Sequence, residues 1–419
     1  MTSPLFSPLR LRSGQVLPNR IAKAAMEEGM AGAGQLPDER LLALYRRWGG
    51  GGAGLLITGN VMVHAEALTG PGGVVLDAAT PLEPFAAWAE AGRSGGAAMW
   101  MQINHPGRQV QAEMPGVVWG PSDVGVEIGR HSRRFGRPSA MAPDQIEATV
   151  RRFAVTAERA ARAGFDGVQI HAAHGYLLSQ FLSPLVNRRT DRWGGPLENR
   201  ARMLLDVVRA VRAAVPPEFA VAVKLNSADF QRGGFDVDDA RRVIALLEPL
   251  GVDLVELSGG SYESPAMSGR PADARTRARE AYFLDLAKDL AAASPLPLML
   301  TGGITRRDTA EQVLADGVDL VGMGTALAVA PDLPGQWRRG AGADARLRPV
   351  TWSDKTLAAA AGMALVRRQL RRMARGGEPA LGTRPACALV SEQLVARRQL
   401  RRYRAWLPEA ASHRQRADH

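Results

Sequence analysis

Residues 166–200 read DGVQIHAAHGYLLSQFLSPLVNRRTDRWGGPLENR. The stretch opens on a short, largely apolar run, Asp166–His171, the pattern of a parallel strand covered on both faces. Two histidines and a tyrosine follow at once: His171, His174 and Tyr176. Asn187–Arg200, with Trp193, Gly194 and Gly195, reads as a rigid turn leading into an amphipathic helix over Leu197–Val215. Strand, polar turn and helix form a unit, and working outward the unit recurs. Further β-like runs lie at Ile21–Ala25, Gly54–Asn60, Ala97–Ile103, Ala220–Asn226, Val252–Ser258, Leu296–Thr301 and Val318–Met323. Helical patterns alternate with them at Asp38–Gly49, Leu82–Arg93, Asp144–Ala163, Val237–Leu250, Arg277–Ala293 and Arg306–Ala315. About eight β–α repeats over about 300 residues predict an α/β fold, a (β/α)8 TIM barrel rather than a doubly wound sheet.

Three segments stand outside the rhythm. Leu9–Val16 predicts an N-terminal hairpin around Ser13-Gly14, placed as a lid on the barrel bottom. Asn104–Ala142 is a long Gly-, Pro- and Arg-rich connection, and loops of that length inside a domain usually serve function. Residues 340–419 predict a C-terminal extension of two helices, about Asp354–Arg375 and Ala388–Trp406, which share the hexapeptide RRQLRR at 367–372 and 397–402. The domain division expected is therefore 1–339 for the barrel and 340–419 for a basic helical extension.

The 419 residues carry a net charge of +11, but it is unevenly placed. From Arg338 onward there are 18 basic and 6 acidic side chains, a balance of +12; the remainder has 35 and 36, a balance of −1. The one cysteine, Cys387, excludes an intrachain disulfide framework, a Cys-rich zinc site and a four-cysteine cluster. The N-terminus lacks the apolar core of a signal peptide and no run of about 18 apolar residues occurs, so a cytoplasmic protein without a membrane span is expected.

Polar residues and glycines collect where the strands end, the rim that holds barrel active sites. They are Asn60, Gln102 and Asn104, Lys224, Ser258-Gly259-Gly260, Thr301-Gly302-Gly303 and Gly322–Thr325. Glycine turns after the last two strands suit a phosphate, since bare N–H groups and a helix start can approach it. Lys224 interrupts an apolar strand, and a buried ammonium needs a counter-charge; a bound anionic group is the expected one. Two imidazoles can grip one carbonyl or nitro oxygen while a phenol supplies a proton. His105 would be the third ligand in a rival metal reading, but no suitably placed carboxylate accompanies it and no metal is expected. Gly49–Gly54 matches GxGxxG formally, yet it follows a helix and precedes a strand, the reverse of a dinucleotide turn.

On these residues the chain resembles the Old Yellow Enzyme family of FMN-dependent NADH:flavin oxidoreductases. The similarity runs from about Pro18 to Leu333. The HAAHGY segment carries most of it, supported by PNRIAKAAM, MQINHPGRQ, VDLVELSGG and LPLMLTGGI. The resemblance implies an FMN at the carboxyl rim, reduced by NADH or NADPH in the same pocket. It implies that Ala25 and Met26 line the flavin, Asn60 lies near its ring, Gln102 bonds its pyrimidine edge and Lys224 stands beside N1 and O2. Gly302, Gly303, Gly324 and Thr325 would hold the phosphate. His171 and His174 would hold the oxygen of a small-molecule acceptor, an activated alkene, nitro compound or quinone, and Tyr176 would protonate the α carbon.

Two departures qualify the likeness. Glu27 and Glu28 follow Met26 where many members have Cys or Thr, and a carboxylate there would oppose an anionic reduced flavin or be held protonated. Thr325 replaces an Arg that clamps the phosphate in many members, with Arg306 or Arg307 as the expected compensation. Two other functions fit parts of the chain. One is an FMN-barrel reductase that modifies RNA, whose chemistry uses a barrel cysteine absent from residues 1–386. The other is a protein whose basic tail binds nucleic acid or an anionic surface. Against the latter, the stripes Met363, Val366, Leu370, Met373 and Leu400, Tyr403, Trp406 are expected to pack on the barrel or a second subunit, and a homo-oligomer is expected.

Overall fold

The computed structural model describes residues 3–264, 283–342, 345–347 and 349–417. Eight parallel strands close into a barrel: β1 (Ile21–Lys23), β2 (Leu55–Ile57), β3 (Ala98–Asn104), β4 (Gly167–Ala172), β5 (Ala220–Asn226), β6 (Leu254–Ser258), β7 (Leu298–Thr301) and β8 (Leu320–Met323). Each pairs with its neighbour in sequence, and β8 closes on β1 through Val321↔Ile21 and Met323↔Lys23. Helices that follow the strands are α1 (Glu39–Gly49), α2 (Glu83–Arg93), α3 (Pro143–Arg162), α4 (Leu197–Ala214), α5 (Val237–Leu247), α6 (Leu284–Ala291), α7 (Arg307–Ala315) and α8 (Leu333–Arg338). The strand residues are almost all buried because one face meets the barrel interior and the other the helices. Of the helix expected over Arg277–Ala293, residues 277–282 lie outside the described residues.

The interior is layered. Ala22, Leu55, Ile57, Trp100, Ala222, Leu254, Met299 and Leu320 form an apolar layer with Leu9, Leu11 and Leu17 below it. Those leucines belong to the N-terminal hairpin, whose strands Leu9–Arg10 and Val16–Leu17 pair antiparallel across Gly14 at φ 88°. Arg12 reaches Glu248 and the carbonyl of Pro295, while the Ser13 N–H donates to Asp253, so the hairpin is fixed against the amino ends of the strands. Above the apolar layer the interior turns polar, toward the carboxyl ends.

The C-terminal extension forms α9 (Lys355–Met373) and α10 (Pro385–Ala417), which pack on each other and on that same carboxyl rim. Asp354 caps α9 by accepting the Leu357 N–H. Leu400 and Tyr403 enter a cluster with Met62, Ala65, Leu68, Val75, Val110 and Met114, and the Tyr403 hydroxyl donates to Ala65 O at 2.7 Å. Gln399 donates to Gly29 O at 2.7 Å, and Arg404 to Glu113 O. Leu370 and Met373 of the first expected stripe are buried, but Met363 is 45% exposed although Ala361 and Ala364 beside it are buried, so it lies on the outward face of the helix. Among the described residues no helix is long and apolar enough to cross a membrane.

Candidate active site

β4 ends in His171, and the chain then turns sharply. His174 (φ 60°) and Gly175 (φ 74°) are both left-handed, at a cost of about 1–2 kcal/mol for the histidine. The turn is held from two sides: the His174 N–H donates to Asn226 Oδ1 at 3.0 Å, and its carbonyl accepts from Gln109 Nε2 at 3.0 Å. Tyr176 then precedes a short helix, Leu177–Leu182. The result brings the three side chains together, with ring centroids 5.1 Å apart for His171 and His174 and 4.8 Å for His171 and Tyr176.

The protonation states suit donors. Burial, helped by Lys224, pushes both imidazoles well below their usual pKa, so both are neutral. His171 Nδ1 accepts the Ala173 N–H at 3.2 Å, which leaves the proton on Nε2. His174 Nε2 lies 2.7 Å from Ser258 Oγ, so the direction of that bond fixes its tautomer. Burial raises Tyr176 well above the ordinary phenol value, and its hydroxyl lies 3.2 Å from that of Tyr262. Tyr262 is itself pushed up to about 12 by burial. Its ring meets Phe135 at 5.6 Å, a second point, after Gln109, at which the long connection reaches the site. Arg130 and His131 of that connection instead turn to Asp354 at the start of α9.

Beneath the histidines runs a polar chain across four strands. Gln102 donates to Gln169 at 2.7 Å, Gln169 to Glu256 at 2.7 Å, and Lys224 to Glu256 at 2.7 Å. Strand register sets it, aligning His171, Lys224 and Glu256 at one level. The counter-charge of Lys224 is thus the chain's own Glu256, which corrects the expectation that a bound anion is required. A second buried lysine, Lys23, faces outward between β1 and α1. It donates to Ile57 O and Tyr45, lies 4.5 Å from the Trp48 ring and 3.7 Å from Glu28, and burial lowers its pKa to about 8. Glu28 also accepts from Tyr45 and the Gly59 N–H, while Glu27 accepts from Thr69 and faces Arg367 of α9 at 3.3 Å. Neither glutamate is a bare carboxylate.

The remaining predicted residues lie at the carboxyl ends of the strands. Ala25 and Met26 follow β1, and a Cβ built on Gly324 would meet Met26 Cγ at 3.5 Å. Gly302 (φ 151°) and Gly303 (φ 70°) follow β7, and Gly324 and Thr325 open a short helix, Thr325–Val329, after β8. Arg307 is not available there: it bonds Glu311 and the Trp337 carbonyl. His105 is not beside a metal pair either. Its Nδ1 accepts the Gly107 N–H, its Nε2 lies 3.4 Å from His64, and its ring stacks on Trp119. Among the described residues no group of three or more His, Cys, Asp or Glu is arranged to hold a metal.

The donor set fits an FMN. Asn60 Oδ1, both polar atoms of the Asn104 side chain and Thr301 Oγ1 are buried without a partner among the described residues. Buried amide and hydroxyl groups are ordinarily satisfied, so orphans converging on one rim point to a polar ligand. Gln169, Glu256, Tyr262 and Arg367 were not identified from sequence. The first two were legible as polar interruptions in apolar runs; the last two depend on how distant segments fold together.

Comparison with known proteins shows the family and the fold. The model of the NADH:flavin oxidoreductase / NADH oxidase family matches residues 4–342. The NADH-dependent flavin oxidoreductase iliE of Hypocrea jecorina is 39% identical over 349 residues, covering 78% of this chain and 87% of that protein. The old yellow enzyme homologue from Zymomonas mobilis superposes with a TM-score of 0.69 at 26% identity, over 80% of this chain and 93% of that one. Morphinone reductase in complex with tetrahydroNAD does so with a TM-score of 0.67 at 26% identity, over 80% and 91%.

Proposed function

Because the chain belongs to the NADH:flavin oxidoreductase / NADH oxidase family, and is an FMN-dependent oxidoreductase, we propose that it reduces alkenes activated by a carbonyl or nitro group. The observation that carries the acceptor class is the cluster of two neutral imidazoles and one buried phenol, His171, His174 and Tyr176. Bound FMN supplies hydride transfer, taken from NAD(P)H and passed to the acceptor. His171, with its proton on Nε2, donates to the acceptor's oxygen. His174 joins it when Ser258 donates to Nε2, because the ring proton then sits on Nδ1. Polarising that oxygen draws electron density from the far alkene carbon and makes it electrophilic, and Tyr176 protonates the other carbon.

The rest of the rim would hold the cofactor. Ala25 and Met26 would line it, Asn60 and Gln102 would meet its polar edge, and the N–H groups around Gly302, Gly303, Gly324 and Thr325 would receive the phosphate. Lys224 gives one of its three N–H groups to Glu256, so what it offers a flavin is a directed donor within a neutral pair. The reductant to test first is NADH, named for the fungal relative.

Flavin uptake and acceptor turnover test the reading. Purified protein is expected to carry or take up FMN, to be reduced by NAD(P)H and to be reoxidised by an enone in stopped flow. The variant H171A/H174A should keep its flavin yet bind phenols at least about tenfold more weakly, since two hydrogen bonds are lost. Phenol charge-transfer absorbance that persists in that variant at wild-type affinity would place the acceptor elsewhere.

A further inference from the structure

Two features of the chain have no part in that chemistry: Glu27, the carboxylate that follows Met26, and the basic C-terminal extension. They meet each other. Arg367, on the inner face of α9, has Nη2 at 3.3 Å from the Glu27 carboxylate and donates from Nε to the Glu27 carbonyl at 3.3 Å. Its other nitrogen, Nη1, donates to Glu392 of α10 at 2.9 Å, and Glu392 is shared with Arg371 at 2.5 Å. The guanidinium is therefore braced from the tail side and aimed at the rim. Burial opposes its charge, but Glu27 and Glu392 outweigh that and hold it fully protonated.

The pair lies within electrostatic reach of the reacting groups. Glu27 disfavours ionisation of both Tyr176 and Tyr262, and Arg367 favours it. Tyr176 is buried, so charges near it act at low effective dielectric. A Glu27 without a partner would oppose any negative charge forming in the pocket, whether on a reduced flavin or on a bound phenolate. We propose that Arg367 is a positioning residue of the active site, delivered by the C-terminal extension, whose task is to offset Glu27 so that negative charge can form beside Tyr176. The extension is then part of the oxidoreductase site and not a separate binding module. This rests on the proposed flavin chemistry.

The test uses the full chain loaded with FMN and compares Arg367→Met, Glu27→Gln, the double variant and Arg367→Lys. Two quantities are read: the midpoint potential of the bound flavin, and the affinity for a phenol that binds as phenolate. Arg367→Met should shift the oxidised/reduced equilibrium about tenfold toward oxidised flavin, a potential about 30 mV lower for a two-electron couple. It should weaken phenolate binding by a similar factor. Glu27→Gln should move both quantities the opposite way, the double variant should return them close to wild type, and Arg367→Lys should change them least. A purely structural Arg367 has no reason to give opposite signs or to be rescued by Glu27→Gln. Unchanged potential and affinity in Arg367→Met, or no rescue in the double variant, overturns the proposal. Should Arg367→Met fail to fold, Glu27→Gln decides alone, with no upward shift counting against it. Wild-type protein that takes up no FMN would defeat the proposed function instead, so the two failures are distinguishable.

Discussion

Tyr176→Phe is expected to slow reoxidation of the reduced enzyme by an enone about 10²–10⁴-fold, the usual range for a lost general acid. Reduction by NAD(P)H should change little, because no proton from Tyr176 enters that half-reaction. The phenol sits against His171 with its hydroxyl 3.2 Å from Tyr262, so the methyl-sized void left by oxygen is small and the fold should tolerate it. Tyr262 is close enough to act as a partial substitute, and Tyr176→Phe with Tyr262→Phe should remove the residual rate. The pH dependence follows from the direction of the shifts. Tyr176 is raised well above the phenol value and Tyr262 to about 12, so the donor keeps its proton as pH rises. His171 and His174 are depressed, so they stay neutral as pH falls. Wild-type reoxidation should accordingly be flat between about pH 6 and 10, the interval bounded by the ordinary His and Tyr values. Equal losses in both half-reactions of Tyr176→Phe, or a wild-type rate falling with an apparent pKa near neutrality, would remove Tyr176 from the role of proton donor.

The barrel was legible because parallel strands buried on both faces must be apolar runs, and runs such as Ala220–Val223 have no other economical reading. The histidines and Tyr176 were legible because they fall together at one strand end. What local sequence does not contain is partnership across the barrel. Lys224 stood out as a charge in need of an opposite, and the opposite is Glu256, 32 positions away and adjacent only by strand register. The tail shows the same limit more sharply. Its two RRQLRR copies are identical, yet Arg367 of the first enters the active-site rim while Arg368 beside it turns to Thr383. In the second copy Arg397 and Arg398 are exposed, and it is Gln399 and Leu400 that dock, on Gly29 and the Met62–Met114 cluster. Composition reported a charge of +12; which of those charges meets the barrel is settled by the rotation of each helix on its axis, and the two helices present the shared hexapeptide differently. The departure at Glu27 was equally visible and equally undecided until Arg367 was seen facing it.

Lys224→Met is the substitution expected to cost most stability. It leaves the Glu256 carboxylate in the barrel interior with the Gln169 amide as its remaining hydrogen-bond partner, and both members of the original pair are almost wholly buried. Breaking a buried pair from one side typically costs about 3–5 kcal/mol, because the surviving charge stays desolvated without compensation. Methionine fills most of the lysine's volume, so the loss reports charge rather than a cavity. Glu256→Gln should be damaging for the mirror-image reason, stranding the ammonium. The double variant Lys224→Met/Glu256→Gln should recover most of the loss, since no buried charge remains, and the interaction energy in that cycle measures the pair. The deficit of Lys224→Met should also shrink as pH falls, because protonating the stranded carboxyl removes the offending charge. Chemical denaturation of all four proteins, stripped of flavin and then loaded, separates two consequences. Without flavin the order is set by charge balance alone. With flavin, the double variant should regain stability but bind FMN more weakly than wild type, because the donor that Lys224 aims at the cofactor is gone. A double variant as unstable as either single would mean that the polar chain from Gln102 to Lys224 holds the barrel by hydrogen bonding, and that charge pairing is secondary.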